Sequence, residues 1–259
     1  MLVNKNDTLY NLLENKYELF NNHDFIKYDP ISIPRCFAKK EDIEISAFLT
    51  ATIAWGQRVS IINNGGKLMQ MMENQPYIFL MEADEREFAR FDKFVHRTFN
   101  GEDCKYFLLS LKNIYTNHNG LESVFSKMYN ETEDVFETII RFRSLFLSLS
   151  HFQRTEKHIS NPAKGSAAKR INMFLRWMVR NDQKGVDFGL WKCIPASALL
   201  CPLDLHTGNV ARKLGLITRK QNDRKAVEEL MVSLRQFDNF DPVKYDFALF
   251  GMGINGHEF

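Results

Sequence analysis

Asp204 and the basic residues around it are the side chains of this sequence best suited to chemistry. They lie in Leu203-Asp-Leu-His-Thr-Gly-Asn-Val-Ala-Arg-Lys-Leu-Gly-Leu216, an acid at the mouth of a short basic helix. A helix start leaves its first backbone N–H groups without partners, and an aspartate there can accept from His206 or Thr207. Val210, Leu214 and Leu216 supply apolar contacts, Arg212 and Lys213 face outward, and Gly215 suits the left-handed turn that ends a helix. The helix dipole favours an ionised carboxylate at such a position. Asp204 therefore reads as a cap, as a carboxylate held ready for chemistry, or as both.

A second candidate is Asn161-Pro-Ala-Lys-Gly-Ser-Ala-Ala-Lys-Arg170. Gly165 lets the backbone approach a ligand, and the amides of Ser166 to Ala168 would open a helix. With Lys164, Lys169 and Arg170 nearby, that geometry suits an anion such as phosphate. The G-K-[ST] spacing of a Walker loop is missing, and a plain basic helix start fits the same residues. Gly251-Met-Gly253 follows a helix, which is the wrong context for a dinucleotide turn. His206 alone on a short helix reads as structural or as a polar contact for nucleic acid. Cys36, Cys104, Cys193 and Cys201 are scattered without a C-x-x-C pair, so no metal site is expected.

The elements that must position these groups are helical. Apolar periodicity predicts helices from Asp7 to Asn21, over 40–55, from Arg58 to Glu73, and over 103–117, 121–129 and 133–150. Beyond the break at Asn161-Pro162, helices are predicted from Ala167 to Arg180 and from the Asp223 cap to Arg235. A last one opens at Asp241-Pro242 and runs toward Gly251. Few segments alternate with period two, so almost no sheet is expected. No linker or repeat marks a cut between domains.

The 259 residues suffice for a sizeable core, with 44% hydrophobic and 25% charged residues. No apolar run reaches the ~20 residues that span a bilayer. The first residues lack the apolar stretch of a secretory signal, so a cytoplasmic protein without membrane contact is expected. The net charge of +2 hides an asymmetry: residues 151–220 hold thirteen Lys or Arg against four acids, a net of +9, leaving −7 elsewhere. Such segregation points to a polyanion-facing surface, or to a solvated basic face.

The Asp204 stretch resembles, without gaps, the catalytic-aspartate segment of the helix-hairpin-helix DNA glycosylases. That superfamily contains endonuclease III and adenine glycosylase, and its pattern runs V-D-T-H-V-x-R-V-A-x-R-L-G-L. Asp204, His206, Val210, Ala211, Leu214, Gly215 and Leu216 match, while Leu205, Thr207 and Asn209 depart. Tyr245-Asp-Phe-Ala-Leu-Phe-Gly-Met-Gly253 is similar to the final helix of the same enzymes. The cysteines that bind an iron–sulfur cluster in many members do not follow. Pro162 to Ala168 occupies the place of the hairpin, with Pro162 and Gly165 matching and Ala163 replacing a glycine. The nucleophilic lysine of the archaeal 8-oxoguanine glycosylase branch falls near Ala167, flanked by Lys164 and Lys169, of which Lys169 is preferred. Ile45-Ser-Ala-Phe-Leu-Thr50 followed by Gln57 resembles the apolar helix leading to a family glutamine. The whole chain also resembles an uncharacterised bacterial family of unknown function. Its hallmark joins a K-G-S-x-x-K-R-x-N-M-F-L-R-W-M-V-R helix, here Lys164 to Arg180, to P-L-D-x-H, here Pro202 to His206.

The resemblance implies one all-α globular unit of two helical lobes about a central cleft, approximately 30–155 and 1–29 with 156–259. It implies a DNA glycosylase-like enzyme, with or without strand-cleaving lyase activity, acting on double-stranded DNA without cofactor or cluster. Asp204 and Lys169 would be catalytic. Lys164, Gly165, Ser166, Arg170, His206, Arg212 and Lys213 would contact nucleic acid, and Gln57 and Trp55 would line the base pocket. Two alternatives stay open: a non-catalytic nucleic-acid-binding protein on the same scaffold, and a helical enzyme for a small phosphorylated substrate.

Overall fold

The computed structural model describes residues 5–255. In chain order its α-helices are α1 (Lys5–Phe20), α2 (His23–Lys27), α3 (Lys40–Thr52), α4 (Arg58–Met71), α5 (Pro76–Glu82), α6 (Glu85–Phe88) and α7 (Gly101–Asn117). They continue as α8 (Gly120–Thr132), α9 (Val135–Phe146), α10 (Lys169–Val179), α11 (Leu205–Lys213), α12 (Arg224–Arg235) and α13 (Tyr245–Asn255). The protein is mostly helical. Strands β1 (Val95–His96) and β2 (Phe99–Asn100) pair antiparallel, with Val95 opposite Asn100. Strands this short leave no alternation to read. The chain divides into two compact units, Ile26–Asn161 and Met1–Phe25 with Pro162–Phe259. Among the described residues no helix is long and apolar enough to cross a membrane.

The Ile26–Asn161 unit is built on phenylalanine. α3 buries every residue from Ile43 to Thr52. Its Phe48 meets Phe107 of α7 and Phe142 and Phe146 of α9, with ring centroids 5.3 to 6.3 Å apart. Phe99 of β2 stands edge-on to Phe107 at 5.2 Å. The start of α7 is fixed by a reciprocal cap between Asn100 and Asp103. Gly101 is required there, because a Cβ would stand 2.3 Å from the carbonyl oxygen of Asp92.

In the unit formed by both ends of the chain, α13 packs against α1 and α11. Both approaches use glycine. A Cβ on Gly251 would lie 2.2 Å from the Phe20 ring, and one on Gly253 would lie 2.9 Å from the Cβ of His206. α1 begins at Lys5, so Asp7 lies inside its first turn and is not its cap. α10 begins at Lys169, two residues after the predicted start, because Ala168 holds left-handed backbone at φ 51°. It is buried on all sides from Ile171 to Val179.

That burial corrects the reading of a wholly solvated basic segment. Arg176 bonds Asp187 at 3.3 Å and Asp246, and its guanidinium covers the Phe247 ring at 4.3 Å. Arg180 meets Asp182 at 2.6 Å, Asp187 at 3.2 Å and Asp241 at 2.9 Å. Buried cations need such partners, since desolvation of an unpaired charge costs several kcal/mol or about that order. Arg154 pairs with Asp103, Lys184 with Glu18 and Arg219 with Asp223. Five of the thirteen cations are thus bound to carboxylates.

Candidate functional site

Asp204 stands at the N-cap of α11 in extended backbone, and its carboxylate accepts from the Thr207 amide at 3.0 Å. The predicted cap is present, with Thr207 the recipient. Gly215 closes the same helix at φ 73°, also as read from sequence. The backbone carbonyl of Asp204 accepts from Asn222 Nδ2 at 2.8 Å. Asn222 Oδ1 in turn accepts from Arg212 Nη2 at 2.5 Å, and Arg212 Nε donates to the Arg219 carbonyl at 2.8 Å. Arg212 therefore does not face outward as expected: its guanidinium braces the loop that holds Asp204. Gly208 leaves room for that brace, since a Cβ there would stand 2.5 Å from Asn222 Oδ1. Lys213 and His206 are exposed, and His206 Nδ1 lies 3.3 Å from the Gly253 carbonyl.

The Gly165 turn differs from the expected row of outward amides. Gly165 has φ 85° and open space where a Cβ would stand, and Lys164 beside it is exposed. The Ala168 amide, however, donates to Ser166 Oγ at 3.1 Å. The Gly165 carbonyl accepts from the Arg224 amide at 2.9 Å, and Ser166 pairs with Asp223. The turn is thereby pinned to the start of α12. Arg170 is half-buried, and desolvation lowers its pKa to about 10. Lys169 is half-buried at the head of α10, with Nζ 3.6 Å from Met173 Sδ.

Asp246, in the first turn of α13, is the residue sequence reading missed. Its carboxyl is buried, bonded by Arg176 Nη1 and approached by Cys201 Sγ at 3.6 Å. Burial pushes its pKa up to about 6, against the opposing pull of Arg176. Asp204 adds to the rise, while Lys169 and the Cys201 thiol work against it. Asp204 and Lys169 thus both act on one buried carboxyl. Burial also pushes the Cys201 thiol well up, with Asp246 and Asp204 reinforcing it, so Cys201 stays protonated. An isolated acid in an apolar helix, and two arginines in another, were the available signal: buried charges of opposite sign find each other.

Trp55 and Gln57 belong to the Ile26–Asn161 unit, whereas Asp204 belongs to the other. Trp55 is half-buried, stacked on His158 at 5.8 Å and edge-on to His96 at 5.0 Å. Desolvation lowers the pKa of His96, which bonds the Trp55 carbonyl at 3.2 Å. Gln57 is exposed before α4 and makes no side-chain cap. Among the described residues no cluster of three or more His, Cys, Asp or Glu is arranged to hold a metal.

A family profile matches residues 29–255, most of the chain and all of the groups around Asp204. The chain belongs to the family described as "Protein of unknown function (DUF2400)". No curated protein and no solved structure matches it. Membership in DUF2400 covers Lys169, Arg176, Asp204 and Asp246 alike, and it brings no activity with it. Nor does any of these findings connect the chain to the helix-hairpin-helix glycosylases.

Proposed function

We propose that this protein is a DNA glycosylase-like enzyme that cleaves the N-glycosidic bond of a damaged or modified base in double-stranded DNA. The observation that carries the reading is the meeting of Asp204 and Lys169 at Asp246: a capped carboxylate and an amine share one buried electrostatic neighbour. The gapless resemblance of the Asp204 stretch to glycosylases supplies the reaction, and the helix-hairpin-helix arrangement belongs to the same proposal.

Such an enzyme extrudes its target base and grips the flanking phosphates. Exposed Lys164, Gly165 and Lys213, with Ser166 and Arg170, are the phosphate contacts in this reading. Asp204 activates the attacking group or stabilises positive charge on the sugar as the base leaves. If Lys169 attacks as a free amine, a Schiff base and strand cleavage follow; if water attacks, an abasic site is the product. Arg212 serves indirectly, by holding Asn222 against the Asp204 backbone.

The test is incubation of the full chain with duplexes carrying a panel of base lesions, with and without borohydride. Wild type should yield abasic sites or trapped adducts, and Asp204→Asn should lose that activity while keeping its fold. Wild type inert across a broad panel would overturn the proposal.

A further inference from the structure

The proposed reaction leaves open whether Lys169 or water attacks the sugar. Lys169, Met173 and Arg176 are spaced i, i+4, i+7 along α10, which puts them on one face. Lys169 Nζ contacts Met173 Sδ, and Arg176 at the far end of that face is bonded to Asp246. Asp246 also receives the Cys201 thiol, and Cys201 lies three residues before Asp204 in a buried segment. The buried carboxyl therefore ties the Lys169 face of α10 to the loop that carries Asp204. The groups bearing on it are Arg176 and Lys169 from α10, and Cys201 and Asp204 from that loop. Cys201 is a neutral thiol, so two cations stand against two carboxylates.

Resting on the glycosylase reading, we propose that Asp246 is a positioning residue that, with Asp204, holds Lys169 as an ammonium, so that the base is removed by water. The charge count is the reason. A neutral Lys169 would leave one carboxylate of the buried set without its counter-charge, in a site where screening is weak. An ammonium has no lone pair to add to C1′. Water therefore adds its oxygen to C1′ while the C1′–N bond breaks and its electron pair departs with the base. The proton lost by that water passes to Asp204 and on to the departing base nitrogen. Lys169 keeps its proton throughout and faces the substrate as a positive charge. The raised pKa of Asp246 fits a carboxyl at the centre of such a set.

The experiment compares wild type, Asp246→Asn and Asp246→Glu on duplexes that wild type processes, scoring abasic sites and borohydride-trapped adduct. Wild type should give abasic sites with little adduct. Asp246→Asn removes one of the two carboxylates, and a fall of one pKa unit in a mostly protonated lysine raises its amine fraction, and the trapped fraction, about tenfold. Asp246→Glu should restore the wild-type ratio, which a merely structural role would not predict. Efficient trapping by wild type that Lys169→Gln abolishes overturns the proposal. So does an unchanged trapped fraction in a folded Asp246→Asn protein. A second readout needs no DNA: lysines are reductively methylated with 13C-formaldehyde and titrated by NMR, Lys169 being assigned from Lys169→Gln. In wild type its signal should stay in the ammonium form through neutral pH, and a transition near pH 7 overturns the inference even if Asp246→Asn fails to fold. If no lesion is processed, the glycosylase reading fails, while the lysine titration still decides the charge assignment.

Discussion

At the scale of single residues, Asp204 and Asp246 show how two aspartates of one unit acquire different work. Asp204 is half-exposed and uses its carboxylate as a helix cap, whereas Asp246 is buried against an arginine and a thiol. General-base or charge-stabilising roles are worth about 10²- to 10⁴-fold, so Asp204→Asn should lower single-turnover cleavage by that order. A loss below tenfold would assign Asp204 to capping alone. Asp246 makes a separate prediction about stability. Its folded pKa of about 6 lies above the ordinary value of 3.8, so the folded state binds the proton more tightly than the unfolded one. The stabilisation is complete below about pH 4 and is lost as pH rises through 6, an effect of about 3 kcal/mol. Urea unfolding across that window should show wild type losing this amount relative to Asp246→Asn. Parallel curves for the two proteins would count against the buried-carboxyl account.

At the scale of elements, the helices around Asp204 are set by caps that the sequence announces and by contacts that it does not. Asp223 caps α12 by accepting from the Ala226 amide at 3.1 Å while paired with Arg219, and Asp223→Ala should cost about 1 kcal/mol in thermal or chemical denaturation. Both the cap and the extent of α12 are legible from an aspartate placed before an apolar stripe. The close approach of α13 to α1 is not. Gly251 reads as a helix end, yet it lies inside α13, where any Cβ would enter the Phe20 ring. Gly251→Ala should therefore destabilise by about 1–3 kcal/mol, the usual cost of overpacking. A melting temperature equal to wild type would mean that Phe20 yields freely. The start of α10 was also illegible: nothing in Gly-Ser-Ala-Ala reveals that Ala168 takes left-handed backbone and that its amide closes on Ser166.

At the scale of the whole molecule, charge segregation and charge exposure are different quantities. The +9 of residues 151–220 suggests a continuous basic surface, but Arg154, Arg176, Arg180, Lys184 and Arg219 are bound to carboxylates. The other eight cations of that segment set a ceiling on its phosphate contacts. Duplex binding measured by anisotropy between low and moderate salt should therefore give a log–log slope no steeper than about −7. A steeper slope would require cations outside the segment, and a flat one would remove phosphate contacts from the proposed function.

Sequence alone determined the helical class, the order of most helices, the Asp204 cap and the glycine that ends its helix. These follow from short-range rules, since apolar period, cap chemistry and the backbone freedom of glycine act within a few residues. Tertiary structure alone decided that Arg176 and Arg180 are interior charges, that Arg212 braces the Asp204 loop, and that Asp246 lies where Lys169 and Asp204 both act on it. Those outcomes depend on which distant carboxylate meets which cation once water is excluded, and Asp246 is 70 residues from Arg176 in the chain. Burial turns ordinary charged residues into obligatory partners, and only the packed fold shows which ones are buried together.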